Sequence, residues 1–356
     1  MKVANSITRV LFLWSPLADY TVACLRKLAE KKDVELHIIF QPGEKDAPYK
    51  QFDLGFFKTV MIYQKENERE LFNFCMELNP DLIMMASWNY PFYMSVARKS
   101  KSKGIRVIST FDNQWRSTPK QWLGVLSARY FLKPAIHNFF VPGDRQVHFA
   151  QKLGYDNPLQ GYYCAFTDRF KEVRPSATSN KFIFVGRLVP EKGVDYLVEA
   201  YKEYRNTTKD PWDLIIVGKG RLRSLFENVE GIIVKEFVQP NDLPAVLSEA
   251  TCLILPSVFE PWALVIHEAA IGGLSIICTH ACGASTQFVR DGQNGYIINA
   301  DKDSLVSAMR KMSNKSQNAL EDMSATSRLL GSLWTTDKWA DYVYENICEP
   351  EKQSRL

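Results

Sequence analysis

Two carboxylates and two cations in the second half of the chain have the types and spacing to work on a phosphorylated substrate. Glu260 and Glu268 stand eight positions apart in FEPWALVIHE, the stretch from Phe259 to Glu268. Upstream, Thr251 to Pro256 (TCLILP) is a short apolar run of strand character. Pro261 suits the first turn of a helix, where its missing N–H would go unbonded anyway. At about 100° and 1.5 Å per residue, eight helical residues set the two carboxylates roughly 80° apart around the axis and about 12 Å apart along it. Both then line one side of a cleft. The N–H groups of the first turn, around Ala263, Leu264 and Val265, point the positive end of the helix at an anion such as a phosphate. An ordinary amphipathic helix exposing two glutamates has the same spacing, so spacing alone leaves both readings open.

The cations lie in FVGRLVPEKG. Phe182 to Val185 is a strand, Gly186 gives the backbone room to turn, and Arg187 and Lys192 stand on the loop before a helix opening at Gly193. Two cations beside a helix start suit a diphosphate: the guanidinium makes paired bonds, and the ammonium acts as a compact charge. Neutralising a departing phosphate stabilises charge that develops in the transition state. Taken by itself, the stretch also reads as a solvated loop.

These residues need strands and helices to hold them, and the chain supplies both in alternation. In the first half, Ile7 to Trp14 and Val34 to Phe40 are strands flanking a helix, Asp19 to Lys31. Further strands fall at Asp81 to Ala86, Ile105 to Thr110 and Ile136 to Val141. Helices fall at Glu68 to Leu78, Tyr90 to Ser100, Lys120 to Phe131 and Arg145 to Leu153. Gln41 to Phe57, broken by Pro42, Gly43, Pro48 and Gly55, is expected to be a long loop. The polar run at 166–180 is expected to be a linker. Beyond it, strands at Lys181 to Val185, Trp212 to Val217, Gly231 to Lys235, Thr251 to Leu255, Leu274 to Cys278 and Tyr296 to Ile298 form a second parallel sheet. The tail WTTDKWADYVYENI, from Trp334 to Ile347, is an amphipathic helix that needs a surface to pack on.

The chain of 356 residues suits two domains of about 150 to 180 residues each. No run reaches the roughly 18 apolar residues of a membrane span, and the N-terminus lacks a signal-peptide pattern, so a cytoplasmic protein is the expectation. Seven scattered cysteines argue against a disulfide framework. Cys278, His280 and Cys282 do not have the spacing of a usual zinc site. The net charge of +4 is uneven: from Arg98 to Lys152 eleven Lys or Arg face two acids, +9, leaving 4 − 9 = −5 elsewhere. That segment favours an anionic partner, and Trp115, Trp122, Tyr130 and Phe131 within it suit sugar rings or a lipid interface as well as a core. No nucleic-acid-binding motif accompanies it.

Taken together, FVGRLVPEKG, IIVGKG at Ile215 to Gly220, LILPSVFEPWALVIHEAA and FVRDGQNGYII at Phe288 to Ile298 resemble the C-terminal half of retaining glycosyltransferases of family 4, over roughly Lys181 to Met312. The resemblance implies the α/β GT-B fold: two Rossmann-like parallel-sheet domains facing a cleft, with a last helix crossing back to the first domain. It divides the chain into an acceptor domain at 1–165, a linker at 166–180, a donor domain at 181–333 and a crossover helix at 334–356. It implies transfer of a sugar, with retention, from a nucleoside diphosphate to a hydroxyl of a glycan or lipid-linked acceptor, in surface polysaccharide or glycolipid synthesis. Gly186, Arg187 and Lys192 would hold the diphosphate, Glu260 the sugar hydroxyls and Glu268 the ribose, with the Ala263–Val265 turn beside them. No metal or other cofactor is implied, and no paired-aspartate metal motif is present. Where relatives have glycines after the first strand this chain has Trp14, Ser15, Pro16 and Leu17, and where many have a histidine it has Asp112, read here as a donor-sugar or acceptor contact. Gln287 replaces an acid found in many relatives. A non-catalytic sugar-nucleotide-binding scaffold, a sugar-nucleotide epimerase on the same architecture, or a peripheral contact with anionic membrane at the inner face all fit the same residues.

Overall fold

The structure, a computed structural model, describes residues 7–43, 52–175 and 179–348. The chain divides into two compact units, one of Met1–Cys164 with Thr336–Leu356 and one of Ala165–Thr335.

The first unit is a seven-stranded parallel sheet: β1 (Thr8–Trp14), β2 (Val34–Phe40), β3 (Thr59–Ile62), β4 (Leu82–Met85), β5 (Arg106–Thr110), β6 (Asn138–Val141) and β7 (Leu159–Gln160). Its order is β3-β2-β1-β4-β5-β6-β7, with β1 registered from Thr8 on Val34 to Trp14 on Phe40. The central strands, TRVLFLW and LIMM, are buried almost throughout, as expected where helices cover both faces. Those helices are α1 (Asp19–Ala29), α2 (Glu68–Leu78), α3 (Pro91–Ser102), α4 (Pro119–Phe131) and α5 (Asp144–Lys152).

The second unit begins with α6 (Thr167–Phe170) and holds a six-stranded parallel sheet: β8 (Lys181–Val185), β9 (Asp213–Val217), β10 (Ile232–Lys235), β11 (Cys252–Leu255), β12 (Ser275–Thr279) and β13 (Gly295–Ile298). The order β10-β9-β8-β11-β12-β13 repeats the pattern of the first sheet, with the direction of strand addition reversing between β8 and β11 as it does between β1 and β4. Its helices are α7 (Val194–Thr207), α8 (Leu243–Leu247), α9 (Leu264–Gly272), α10 (Ser285–Phe288), α11 (Lys302–Ser313) and α12 (Gln317–Ser332). The chain then returns to the first unit with α13 (Thr336–Val343), continued by a wider turn over Tyr344–Cys348. There Trp339, Val343 and Ile347 are buried, and Lys27 of α1 pairs with Asp337 at 3.2 Å.

Some expectations need correction. The segment 166–180 is not an open linker over its described part. Phe170 and Val173 are 1% exposed, and Arg328 of α12 donates to the Val173 carbonyl at 2.7 Å, because an apolar trio at Phe166, Phe170 and Val173 needs cover. Residues 176–178 lie outside the described residues, as do 349–356 of the tail. So do 44–51 of the loop expected at Gln41 to Phe57, whose described remainder has no helix or strand before β3. The edge strands β3 and β7, four and two residues long, were not anticipated. No disulfide joins any of the seven cysteines, all of which are buried.

Candidate active site

In a doubly wound sheet, ligands meet the chain at the carboxyl ends of the strands where the order reverses. In the second unit that point lies between β8 and β11, and the cationic loop and the glutamate segment leave the sheet there side by side.

Backbone contacts lock the two together. The Glu191 carbonyl accepts from the N–H of Val258 at 3.0 Å and of Phe259 at 3.2 Å. Gly193 has a φ of +66°, and a Cβ there would lie 2.1 Å from the Pro256 carbonyl oxygen. Only glycine lets the loop reach that conformation and approach that close. The Tyr196 hydroxyl bonds the same Pro256 oxygen. On the other flank Gly186 N–H donates to the Val217 carbonyl at 3.0 Å and Leu188 N–H to that of Lys219 at 2.8 Å, tying the cationic loop to the turn after β9. Beneath Glu260, Gly283 N–H donates to the Glu260 carbonyl at 3.2 Å and Ala284 N–H to that of Trp262 at 2.7 Å.

This scaffold brings Lys192 and Glu260 together: the Lys192 ammonium makes an ion pair with Glu260 Oε2, their side chains 18% and 10% exposed. A charge so far out of water persists only when paired, and removing one partner of such a pair typically costs about 3 kcal/mol. Arg187, one strand end away on the same loop, is exposed, with no side-chain partner among the described residues. An exposed cation and a second one held against a carboxylate thus stand on one loop, an arrangement able to grip an anion and, next to it, hydroxyl groups.

The glutamate helix differs from its expected form. It begins at Leu264 rather than at Pro261, and Ala263 is its N-cap, in the left-handed region at φ 80° and ψ 73°. Pro261 and Trp262 therefore belong to the turn, with Trp262 3% exposed, so Glu260 and Glu268 do not share one continuous helix. The cause is packing: the Trp262 side chain goes inward, and the Pro261 carbonyl presses on Gly283, whose added Cβ would lie 2.1 Å from it. The N–H groups of Leu264 and Val265 still open the helix without a side-chain cap, and Glu268 sits half-buried one turn further.

Within the same helix His267 is fully buried and stacked on Phe288, ring centroids 4.0 Å apart. Ala165 N–H donates to its Nδ1 at 3.1 Å, so the proton sits on Nε2, which donates to the Gly331 carbonyl at 3.0 Å. Burial pushes its pKa down to about 4. Ser257, between β11 and Glu260, has a hydroxyl buried without a partner, while Thr279 donates to its carbonyl at 2.5 Å. Neither residue stands out in the sequence. A lone histidine on an apolar helix and a serine after a proline carry no local signal, because their partners come from distant segments.

Asp112 belongs to the first unit, just after β5. Tyr163 donates its hydroxyl to Asp112 Oδ2 at 3.1 Å, and Gln146 donates to the Asp112 carbonyl at 2.8 Å. Burial raises its pKa above the usual carboxylate value, against the lowering effect of the Tyr163 bond. At the carboxyl end of β1 stands Trp14, 2% exposed and edge-on to Phe12 and Tyr162, with the Tyr93 hydroxyl donating to the Trp14 carbonyl at 2.6 Å.

The family model for group 1 glycosyl transferases matches residues 166–329, nearly the whole of the second unit. An uncharacterized glycosyltransferase of Methanocaldococcus jannaschii is 28% identical over 122 residues, 32% of this chain and 30% of that one. The aligned stretch thus spans about a third of the curated relatives it matches. Two solved structures cover the chain nearly end to end. Sucrose-phosphate synthase from Thermosynechococcus elongatus has a TM-score of 0.71 at 13% identity, covering 98% of this chain and 100% of its own. HepE of Anabaena in complex with UDP and glucose has a TM-score of 0.68 at 15% identity, covering 98% and 100%. The likeness establishes the fold: two Rossmann-like parallel-sheet units of the GT-B class.

Proposed function

We propose that the protein is a retaining, metal-independent glycosyltransferase that moves a sugar from a nucleoside diphosphate to a hydroxyl of a glycan or lipid-linked acceptor, in surface polysaccharide or glycolipid synthesis. The observation that carries the reading is the Lys192–Glu260 ion pair, built at the switch point of the unit that matches the group 1 glycosyl transferases. The UDP bound by HepE fits a nucleotide-sugar donor here.

In this reading Arg187, Lys192 and the N–H groups that open α9 take the diphosphate, Glu260 orients sugar hydroxyls and Glu268 bonds the ribose. The two cations supply the charge that other transferases draw from a divalent ion. The bond from the anomeric carbon to the β-phosphate oxygen breaks as the acceptor oxygen bonds that carbon on the same face, and the acceptor proton passes to the departing phosphate. Positioning and charge stabilisation then carry most of the rate. Because Lys192 already pairs with Glu260, donor binding redistributes this ammonium between carboxylate and phosphate rather than bringing in a new charge. Asp112 contacts the donor sugar or the acceptor from the first unit.

A thermal-shift screen of UDP-, GDP- and ADP-sugars tests the binding. The matching donor at a hundred times its Kd is expected to stabilise by about 2.7 kcal/mol, and Arg187→Ala to lose that shift. Turnover insensitive to EDTA, with the product anomer matching the donor's, supports the reaction. No shift with any donor sinks the proposal, and binding without transfer or hydrolysis favours a scaffold.

A further inference from the structure

Among the described residues, thirteen large apolar side chains stand exposed, and five of them fall within ten positions of α4: Trp122, Leu123, Leu126, Tyr130 and Phe131. Leu123, Leu126 and Tyr130 are 68%, 72% and 76% exposed, while Ala128 is the one residue of the helix that is buried. At 100° per residue Gln121, Val125 and Ala128 form the inner face, and Leu123, Leu126 and Tyr130 form a ridge on the opposite side. The usual amphipathic pattern is turned outward: the large apolar residues meet solvent. A patch of this kind marks an interaction site rather than chance exposure.

Its charge setting selects the partner. Lys120 and Arg129 flank the ridge on either side, with Arg116 just before the helix and Lys133 just after it. From α3, Arg98 stands 5.9 Å from the Phe131 ring centroid, and Arg129 stands 5.9 Å from that of Tyr130. No Asp or Glu occurs between Asp112 and Asp144. A second copy docked through a two-fold axis would press these cations against themselves. An apolar ridge bordered by long cationic side chains matches the boundary of an anionic bilayer, where acyl chains take the ridge and headgroups the cations.

We propose that α4 is a membrane-docking helix that lies in the interface of a bilayer containing anionic phospholipid, burying Leu123, Leu126 and Tyr130 with Trp122 and Phe131 at its edges, while Lys120, Arg129 and Arg116 bind headgroups. The N-terminal end of α4 follows the Asp112 loop, so the bilayer would lie beside that end of the first sheet. Docking stands independently of the reaction proposed above, and only the further consequence, an acceptor hydroxyl carried on a lipid, rests on it.

Flotation of the full chain with phosphatidylcholine vesicles, with and without admixed phosphatidylglycerol, tests the proposal. The wild-type protein is expected to float with the anionic vesicles, with a blue shift in tryptophan emission that Trp122→Phe reduces. Lys120→Gln with Arg129→Gln should weaken partitioning about thirtyfold, at ~1 kcal/mol per cation near the surface. Leu123→Ser, Leu126→Ser and Tyr130→Ser together should lower it at least about tenfold at any salt, with an unchanged melting temperature. Should that triple variant melt early, the charge pair, which alters no apolar packing, decides. Wild-type protein that stays at the bottom with anionic vesicles overturns the proposal. So do variants that float as well as wild type, or a concentration-dependent dimer that the triple variant abolishes without any flotation of the wild type.

Discussion

The two sheets of this molecule have the same strand order around their switch points, yet they finish those points with opposite chemistry. Between β8 and β11 the chain uses glycines, a buried ion pair and a helix start without a side-chain cap. Between β1 and β4 it uses bulk: the buried Trp14 ends β1, and Tyr93 bonds its carbonyl. A loop that must admit a phosphate needs backbone close to the ligand and charge nearby, and only the second unit has both. In the first unit the half-buried Asp112 and the apolar ridge of α4 lie one strand further out, after β5. Topology alone therefore does not say where a ligand goes; the side chains at the switch point do.

The strongest way to break this contrast is to remove the charge from the second unit. Lys192→Ala is expected to lower kcat/KM about a hundredfold or more, as loss of one donor to a developing anion does elsewhere, while Trp14→Phe in the first unit changes it little. Equal losses in steady-state assays would show that both switch points serve the reaction. Next in size, Gly193→Ala forces a Cβ onto the Pro256 carbonyl at a positive φ and should cost about 3 kcal/mol in urea unfolding, whereas Gly124→Ala, on α4 with nothing within 4 Å, should be neutral or stabilising.

The buried His267 of α9 makes the second unit acid-sensitive. Its folded pKa of about 4 lies below the ordinary value near 6.5, so the unfolded chain binds its proton first and stability falls as pH drops from about 6.5 towards 4. The protonated ring would set an Nδ1–H against the Ala165 N–H. Up to about 3 kcal/mol is lost over that window, and His267→Asn should flatten the profile of melting temperature against pH. Asp112 has the opposite slope. Its raised pKa makes the ionised form costly in the fold, a penalty absent below the unfolded value near 3.9 and complete above the folded one. Asp112→Asn should therefore raise the melting temperature at neutral pH and have no effect in strong acid. The smallest change expected is Ala263→Gly, which relieves a positive φ at the α9 N-cap and should add about 0.5–1 kcal/mol.

Where local pattern decides structure, the sequence was readable. Val34–Phe40, Glu68–Leu78 and Lys181–Val185 form over the very residues expected, and most other boundaries move by one or two positions. The resemblance of the flanking motifs gave Lys192 to a diphosphate and Glu260 to sugar hydroxyls, whereas their direct ion pair, between residues sixty-eight apart, was not expected. The start of α9 was misread because Pro261 carries a helix-start signal that the burial of Trp262 and the pressure on Gly283 override. The outward face of α4 was hidden for a different reason. With apolar residues on both sides, its periodicity does not say which side meets the protein.

The return of the chain through α13 has a consequence for how the molecule is made. The first unit encloses the whole second unit within its own stretch of polypeptide, so a ribosome delivers the partner of α1 only after Ala165–Thr335 has emerged. A nascent chain halted before Thr336 would carry a finished second unit and an α1 surface still waiting for Trp339, Val343 and Ile347.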